Sequence, residues 1–243
     1  MDKQEILKKL DEIKAMLTEE QGQEETKSEF INDLYSWSEL QNLAQSGQAA
    51  EKIAIGDKLK VTRYNKDIIF DVVKVTDSEI YLMSHYLIAQ MPFDAPEPRN
   101  PNVNIAFYGS NDYLNSSVRQ WLNSEECSGD WWKPKTEYDT PIACEDYLDG
   151  FMYNMDINFL DTLQANENGD EFFLPSEDEI KEWFPNVKDR IKSYVSGKKD
   201  WYWLRTPLLV ASSSSVHYVN LAGNLAYGDA YCAGGIAPAC VIG

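Results

Sequence analysis

From Lys58 to Ser84, β-branched residues recur in alternation in three runs, Lys58–Arg63, Ile68–Val75 and Ile80–Ser84, divided by YNKD and TDSE. Such side chains suit a pleated, half-buried surface, and Asn and Asp supply the turns, so the stretch predicts an antiparallel meander. Lys52–Ile55, ahead of the Gly56-Asp57 turn, is expected as one more strand. The end of the chain returns to strands at Trp201–Arg205, Val216–Asn220, Asn224–Tyr227 and Ile236–Ile242, with a short one at Phe172–Leu174. Helices fall between. Ser36 or Ser38 caps a short one that uses Leu40 and Leu43 and ends near Gly47, and others are expected at Ser116–Leu122 and Ile157–Leu163. Ser176 and Glu179 have capping-box spacing and open a helix over Glu177–Phe184. The Pro-rich stretch Met91–Asn104 reads as an irregular loop. Helices among hairpins, with strands near both ends and no internal repeat, predict an α+β domain.

A chain of 243 residues is long enough for one such domain plus an appendage. The net charge of −18, with no basic cluster to offset it, argues against nucleic acid and against an anionic membrane surface. No apolar run approaches the ~20 residues of a membrane-spanning helix, and MDKQEILKK lacks the apolar core of a signal peptide, so a soluble protein made in the cytoplasm is expected. Cys127, Cys144, Cys232 and Cys240 show no C-x-x-C spacing, and free thiols are expected instead of a zinc site.

Residues 1–35 form the appendage. Ile6, Leu10, Ile13 and Leu17 share one helical face, a seam too short to be stable alone, so the segment is either an oligomerisation or docking helix or a frayed surface helix. Glu19–Glu29 reads as an acidic linker, and residues 36–243 as the domain proper.

One segment of that domain has an unusual composition. Leu208 to Gly234 contains no Lys, Glu, Gln, Met or Trp. Those types make up roughly a quarter of the rest of the chain, so independent drawing would leave them out with a chance on the order of 10⁻⁴. A codon of two adenines and a pyrimidine, randomised at the adenines, encodes fifteen residue types and never those five. The blocks around the segment are WLRTP (Trp203–Pro207), VHYVNLAGNL (Val216–Leu225) and GGIAPACVIG (Gly234–Gly243). With YGSNDYLNSSVRQWLNS (Tyr108–Ser124), FFLPSEDE (Phe172–Glu179) and SWSELQNLAQSGQAAEKIAIGD (Ser36–Asp57), they resemble the variable proteins of diversity-generating retroelements in gut Firmicutes and their prophages. The same segment also fits a Ser/Ala/Gly-rich loop pair in an ordinary domain.

The resemblance implies a C-type lectin-like domain of the formylglycine-generating type, with a variable region at about 208–236. It implies a hypervariable receptor, carried by a phage or prophage, with a virion tail as one expected location, whose ligand is a protein or glycan on a cell surface. The display positions would be Leu208, Val210, Ser212, Ser213, Ser214, His217, Leu221, Ala226, Tyr227, Gly228, Asp229, Tyr231, Cys232 and Gly234. Two loops and one strand face are expected to bring them into one patch, with Tyr227 and Tyr231 as amphipathic anchors. Several weak sites on a homo-oligomer would add avidity. Two other readings remain, an oxidase of the formylglycine-generating kind and a binding module of the host cell.

Catalytic and metal signals are thin. His85 reads as a satisfied core or edge imidazole, and His217 as an accident of a variable position. Ser212–Ser215 has no G-x-S-x-G surround, and a triad would need Asp229 as orienter. Calcium takes about six to eight oxygens, but Glu97-Pro98-Arg99 puts a guanidinium where a sugar-binding lectin needs an amide. Asn166–Glu171 (NENGDE) fails the EF-hand pattern and reads as an acidic turn. Cys232 and Cys240 are a conceivable echo of the oxidase cysteine pair. No cofactor and no metal is expected. Arg205 and Asn220 are read as structural, paired with an acid or carbonyls and with loop backbone, while Gly223 marks a turn and Gly235 a close backbone approach.

Overall fold

The predicted meander forms as three antiparallel strands, β1 (Lys58–Arg63), β2 (Lys66–Val75) and β3 (Ile80–Ser84). The computed structural model describes residues 28–142, 149–209 and 212–243; the 1–27 segment with its Ile6–Leu17 seam, Cys144 and Val210 lie outside them. Tyr64 and Asn65 alone connect β1 to β2, both with positive φ (51° and 60°), as a two-residue hairpin matching the strand twist requires.

The other strands are β4 (Ala89–Pro92), β5 (Tyr202–Pro207), β6 (Ser215–Val219), β7 (Leu225–Asp229), β8 (Ala233–Ile236) and β9 (Ala239–Ile242). They complete two sheets, β1-β2-β3-β9 and β4-β8-β5-β6-β7, antiparallel except for the parallel β5–β8 pair. Short helices surround them: α1 (Trp37–Gln45), α2 (Ala49–Lys52), α3 (Val103–Tyr108), α4 (Ser117–Leu122), α5 (Ile157–Leu160) and α6 (Glu177–Trp183). The architecture is α+β.

Caps explain where the helices begin. Ser36 and Ser176 each accept from the backbone N–H three residues on, and Glu39 and Glu179 reach back to the cap N–H, closing two capping boxes. Ser116 caps α4. The core runs between the elements as a chain of rings: Phe70, Phe159, Phe172 and Phe151, all essentially inaccessible, touch at centroid distances of 5.0–6.3 Å. Trp203 is fully buried against Phe93 and Trp201 and donates its indole N–H to Met91 O at 3.2 Å.

Five expectations are corrected. Lys52–Ile55 is no strand, because the helix-forming Ala49–Lys52 makes a turn of α2 and only Ile53 turns inward. Ile236–Ile242 is two strands in different sheets: Ala237-Pro238 carries the chain across, and Pro238 O accepts from Ser84 N. Phe172–Leu174 makes only an isolated bridge, Phe173 to Ala239. The Met91–Asn104 stretch is not all loop, since it holds the end of β4 and the start of α3. The Ile157–Leu163 helix stops at Leu160. Packing also begins before residue 36: Ile31 is in the core, and Asn32 exchanges two hydrogen bonds with the Lys60 backbone.

Candidate functional site

The β5–β6 hairpin is held by residues outside its own segment. Asn111 donates its backbone N–H to Ser213 O at 3.0 Å and its amide to Ser212 O at 2.9 Å and Ser215 O at 3.2 Å. From the other side Ala230 N donates to Ser214 O at 2.8 Å. Within the loop the Ser212 and Ser214 hydroxyls meet at 2.9 Å, and Ser213 Oγ accepts from Asn102 Nδ2. These bonds fix the backbone of the described part of the loop, Ser212–Ser215.

Asp94 stands behind this arrangement. Its carboxylate accepts from Ser110 N, Ser117 N and Ser117 Oγ, while Ala230 O accepts from Phe93 N and Asp94 N. Burial outweighs those three donors and pushes the Asp94 carboxyl up to about 7.

Beside the loop, α3 carries no buried residue. Phe107 is 66% exposed, its ring 6.3 Å from that of Tyr108, which lies 5.8 Å from Tyr231. Tyr231 N donates to Tyr108 O at 2.9 Å. Phe107, Tyr108 and Tyr231 thus make an exposed aromatic ridge bordering the hairpin loop.

β7 forms one edge of its sheet, paired with β6 alone among the described strands. Hydrogen bonds at Ala230–Ser214 and Asn220–Asn224 set the alternation: Ala226 and Gly228 turn their backbone toward β6, and Leu225 and Tyr227 turn theirs away. On one face Tyr227, 61% exposed, stands opposite His217, whose Nδ1 lies 2.7 Å from Glu177 Oε2. On the other, Ala226 and Gly228 lie over Tyr218, which packs on Trp201.

The expected display positions do not form a single patch. Ser212, Ser213, Tyr231 and Cys232 gather at the hairpin loop and β7–β8 turn, with Leu208 and Asp229 at the adjoining strand ends. His217 and Tyr227 share one face of the sheet, and Ala226 and Gly228 the other. Leu221 is exposed but sits at the far end of β6, beyond the Asn220 turn. Ser214 and Gly234 are buried, which corrects their expected exposure. A Cβ on Gly234 would stand 2.5–2.8 Å from the Trp201 and Trp203 rings. Val103, Phe107 and Tyr108 are not among the expected positions, because α3 buries none of its residues and so leaves no periodic stripe; Asn102, an Asx cap accepting from Asn104 N, is the available signal.

The structural assignments hold. Arg205 makes a two-pronged pair with Glu179 at 2.7 and 2.8 Å and donates to Leu174 O. Asn220 Oδ1 accepts from Ala222 N and Asn224 N, and Gly223 takes φ +84° in that turn. Gly235 lies where a Cβ would be 2.8 Å from Leu87 and Trp201 O. His85 Nδ1 is partnered at 2.8 Å by both Asp71 oxygens. Asn166–Glu171 is a structural turn: Asn166 Oδ1 accepts from Asn168 N and Asp170 N, and buried Asp170 pairs with Arg119 at 2.6 Å. Glu97 is buried and accepts from Asn100, while Arg99 donates to Glu137 O. Cys127, Cys232 and Cys240 are free thiols, and complete burial pushes that of Cys240 well up. Among the described residues no cluster of His, Cys, Asp or Glu is arranged to hold a metal, and no helix is long and apolar enough to cross a membrane.

Two sheets, a buried aromatic core and an outward-facing hairpin beside an edge strand define an α+β domain. The chain belongs to the family described as a domain of unknown function (DUF6273), whose profile matches residues 77–243. That span starts just before β3 and includes every expected display position, while β1 and β2, which complete the first sheet, precede it. No curated protein and no solved structure matches the chain.

Proposed function

We propose that this chain is a hypervariable ligand-binding protein on a C-type lectin-like scaffold, diversified by adenine-specific mutagenic retrohoming and carried by a phage or prophage. One coincidence carries the reading. The segment without Lys, Glu, Gln, Met or Trp covers the β5–β6 loop, strand β6 with its buried Val216 and Val219, the edge strand β7 and the turns beside it, so its open positions lie in the loop, on β7 and in the β7–β8 turn, and buried strands lie on either side in Tyr202–Leu204 and Ala239–Ile242. Exposed side chains there can change while Asn111 holds the Ser212, Ser213 and Ser215 carbonyls and the backbone N–H groups of Phe93 and Asp94 hold Ala230 O, all from outside the segment. A protein or glycan ligand would meet Tyr227 and Tyr231 as anchors and Ser212, Ser213 and Asp229 as polar contacts; Tyr and Ser favour such adaptable surfaces. Binding, and not catalysis, is the expected activity. The oxidase alternative needs a reactive Cys232–Cys240 pair, and the burial of Cys240 disfavours the thiolate such chemistry uses.

The test is the DNA of codons 208–236 beside its template repeat. Differences confined to template adenines, with Trp203–Pro207 and Ala237–Ala239 unchanged, are expected. Substitutions spread equally over C, G and T would overturn the retroelement origin.

A further inference from the structure

Away from the display surface, a groove of about 460 Å³ opens where the β1–β2 hairpin meets the start of β4. Its walls are aromatic and aliphatic, with Tyr64, Tyr86, Trp121 and Phe151 among them and Val195 on the rim. Arg63 enters this setting half-buried. Its Nε donates to Tyr153 O at 3.2 Å and Nη2 to Gly150 O at 2.9 Å, and the guanidinium lies 4.9 Å from the Tyr64 ring and 5.6 Å from that of Phe151. Those contacts hold it in position, and Asp149 acts on it only at longer range. Among the described residues Nη1 has no hydrogen-bond partner and no carboxylate comes within ion-pair distance of the guanidinium. Asp149 is occupied by the Tyr64 hydroxyl and Ser128 N, and Asp67, also in the groove wall, by Thr62. Lys66 adds a second positive charge to the lining.

A planar cation with free donors, set among ring faces, matches an anion that brings its own flat apolar body. We propose that this groove binds a small organic anion, a carboxylate or sulfonate on an aromatic or similarly flat frame, with the anionic head on Arg63 and the body between Tyr64, Tyr86 and Phe151. The site is independent of the variable segment, none of whose residues lines it.

Anilinonaphthalene sulfonate supplies both chemical parts and reports binding by fluorescence. The full-length protein is expected to take up one saturable equivalent. Arg63→Met should weaken binding about tenfold, as loss of a charge-assisted contact implies. Val195→Trp, made at a rim side chain 79% exposed, should obstruct the groove without disturbing the core, and decides the matter if the Arg63 variant does not fold. The neutral analogue phenylnaphthylamine should bind at least as weakly as the probe does to Arg63→Met. Phe107→Ser, on the aromatic ridge, should leave the probe's affinity unchanged. Undiminished binding to both groove variants, equal binding of the neutral analogue, or loss only in Phe107→Ser would overturn the proposal.

Discussion

The two sheets each end in a C-terminal edge strand, and the two edges are finished in opposite ways. β9 is buried at all four positions, and its outer side is sealed: Gln164 N donates to Val241 O at 2.8 Å, and Phe173 and Ala239 exchange two backbone bonds at 2.8 and 2.9 Å. β7 has no buried residue, and the backbone of Leu225 and Tyr227 faces outward. An unsealed edge invites pairing with other chains and is ordinarily shortened, charged or covered. Here it lies ten residues before the covered one, Asp229 to Ala239, in the same tail. Scaffold and open surface are thus separated within one short stretch by the crossing at Pro238.

That contrast can be broken most forcefully at Trp203, on the scaffold side. Trp203→Ala should cost about 3–5 kcal/mol in denaturant unfolding, since it empties a fully enclosed site and frees Met91 O. A loss under about 1 kcal/mol would show that the tail is not anchored by its core strands.

Asp94 links the two regions, and its effect depends on pH. Its folded value is raised to about 7 from 3.8, chiefly by burial. The folded state therefore keeps a proton that the unfolded chain has released. This contribution to stability is complete below 3.8 and is lost as pH rises through 7, with a slope of up to ~1.4 kcal/mol per pH unit between them. Unfolding midpoints for wild type minus Asp94→Asn across that window should show the decline; a flat difference would mean that the three donors hold the carboxyl near its ordinary value.

Gly234 sharpens where the open surface stops. Gly234→Ala drives a methyl into the Trp201 and Trp203 rings and should destabilise by about 1–3 kcal/mol, measured by thermal melts. A neutral result would return this position to the display set.

The smallest effects belong to the open side. Alanine at Ser213, Asp229 or Tyr231 should shift stability by under ~0.5 kcal/mol, with the Ser213 contact to Asn102 exposed and Tyr231 an exposed ring beside Tyr108. Larger losses would make the ridge part of the core.

How far the sequence could be read follows the same divide. The β1–β3 meander was legible because its turns and alternation are local, and the Ser176–Glu179 box because capping needs only four residues. The sealing of β9 was not legible. Its partners Leu163, Gln164 and Phe173 are distant in sequence, and GIAPACVIG reads as one apolar run until Pro238 is seen to pass between sheets. α3 escaped because its apolar residues face outward, so no buried stripe marks it. The expected display positions rest on composition and on the resemblance, neither of which can tell Ser213 from its buried neighbour Ser214 or reveal that Leu221 lies at the opposite end of β6.

The most direct measurement is saturation mutagenesis of residues 208–242 with protease resistance as the readout of folding. Near-complete tolerance is predicted at Ser213, Tyr227, Asp229 and Tyr231, and intolerance at Gly234 and throughout Ala239–Ile242. A β7 as restrictive as β9 would contradict the division of the tail into open surface and sealed scaffold.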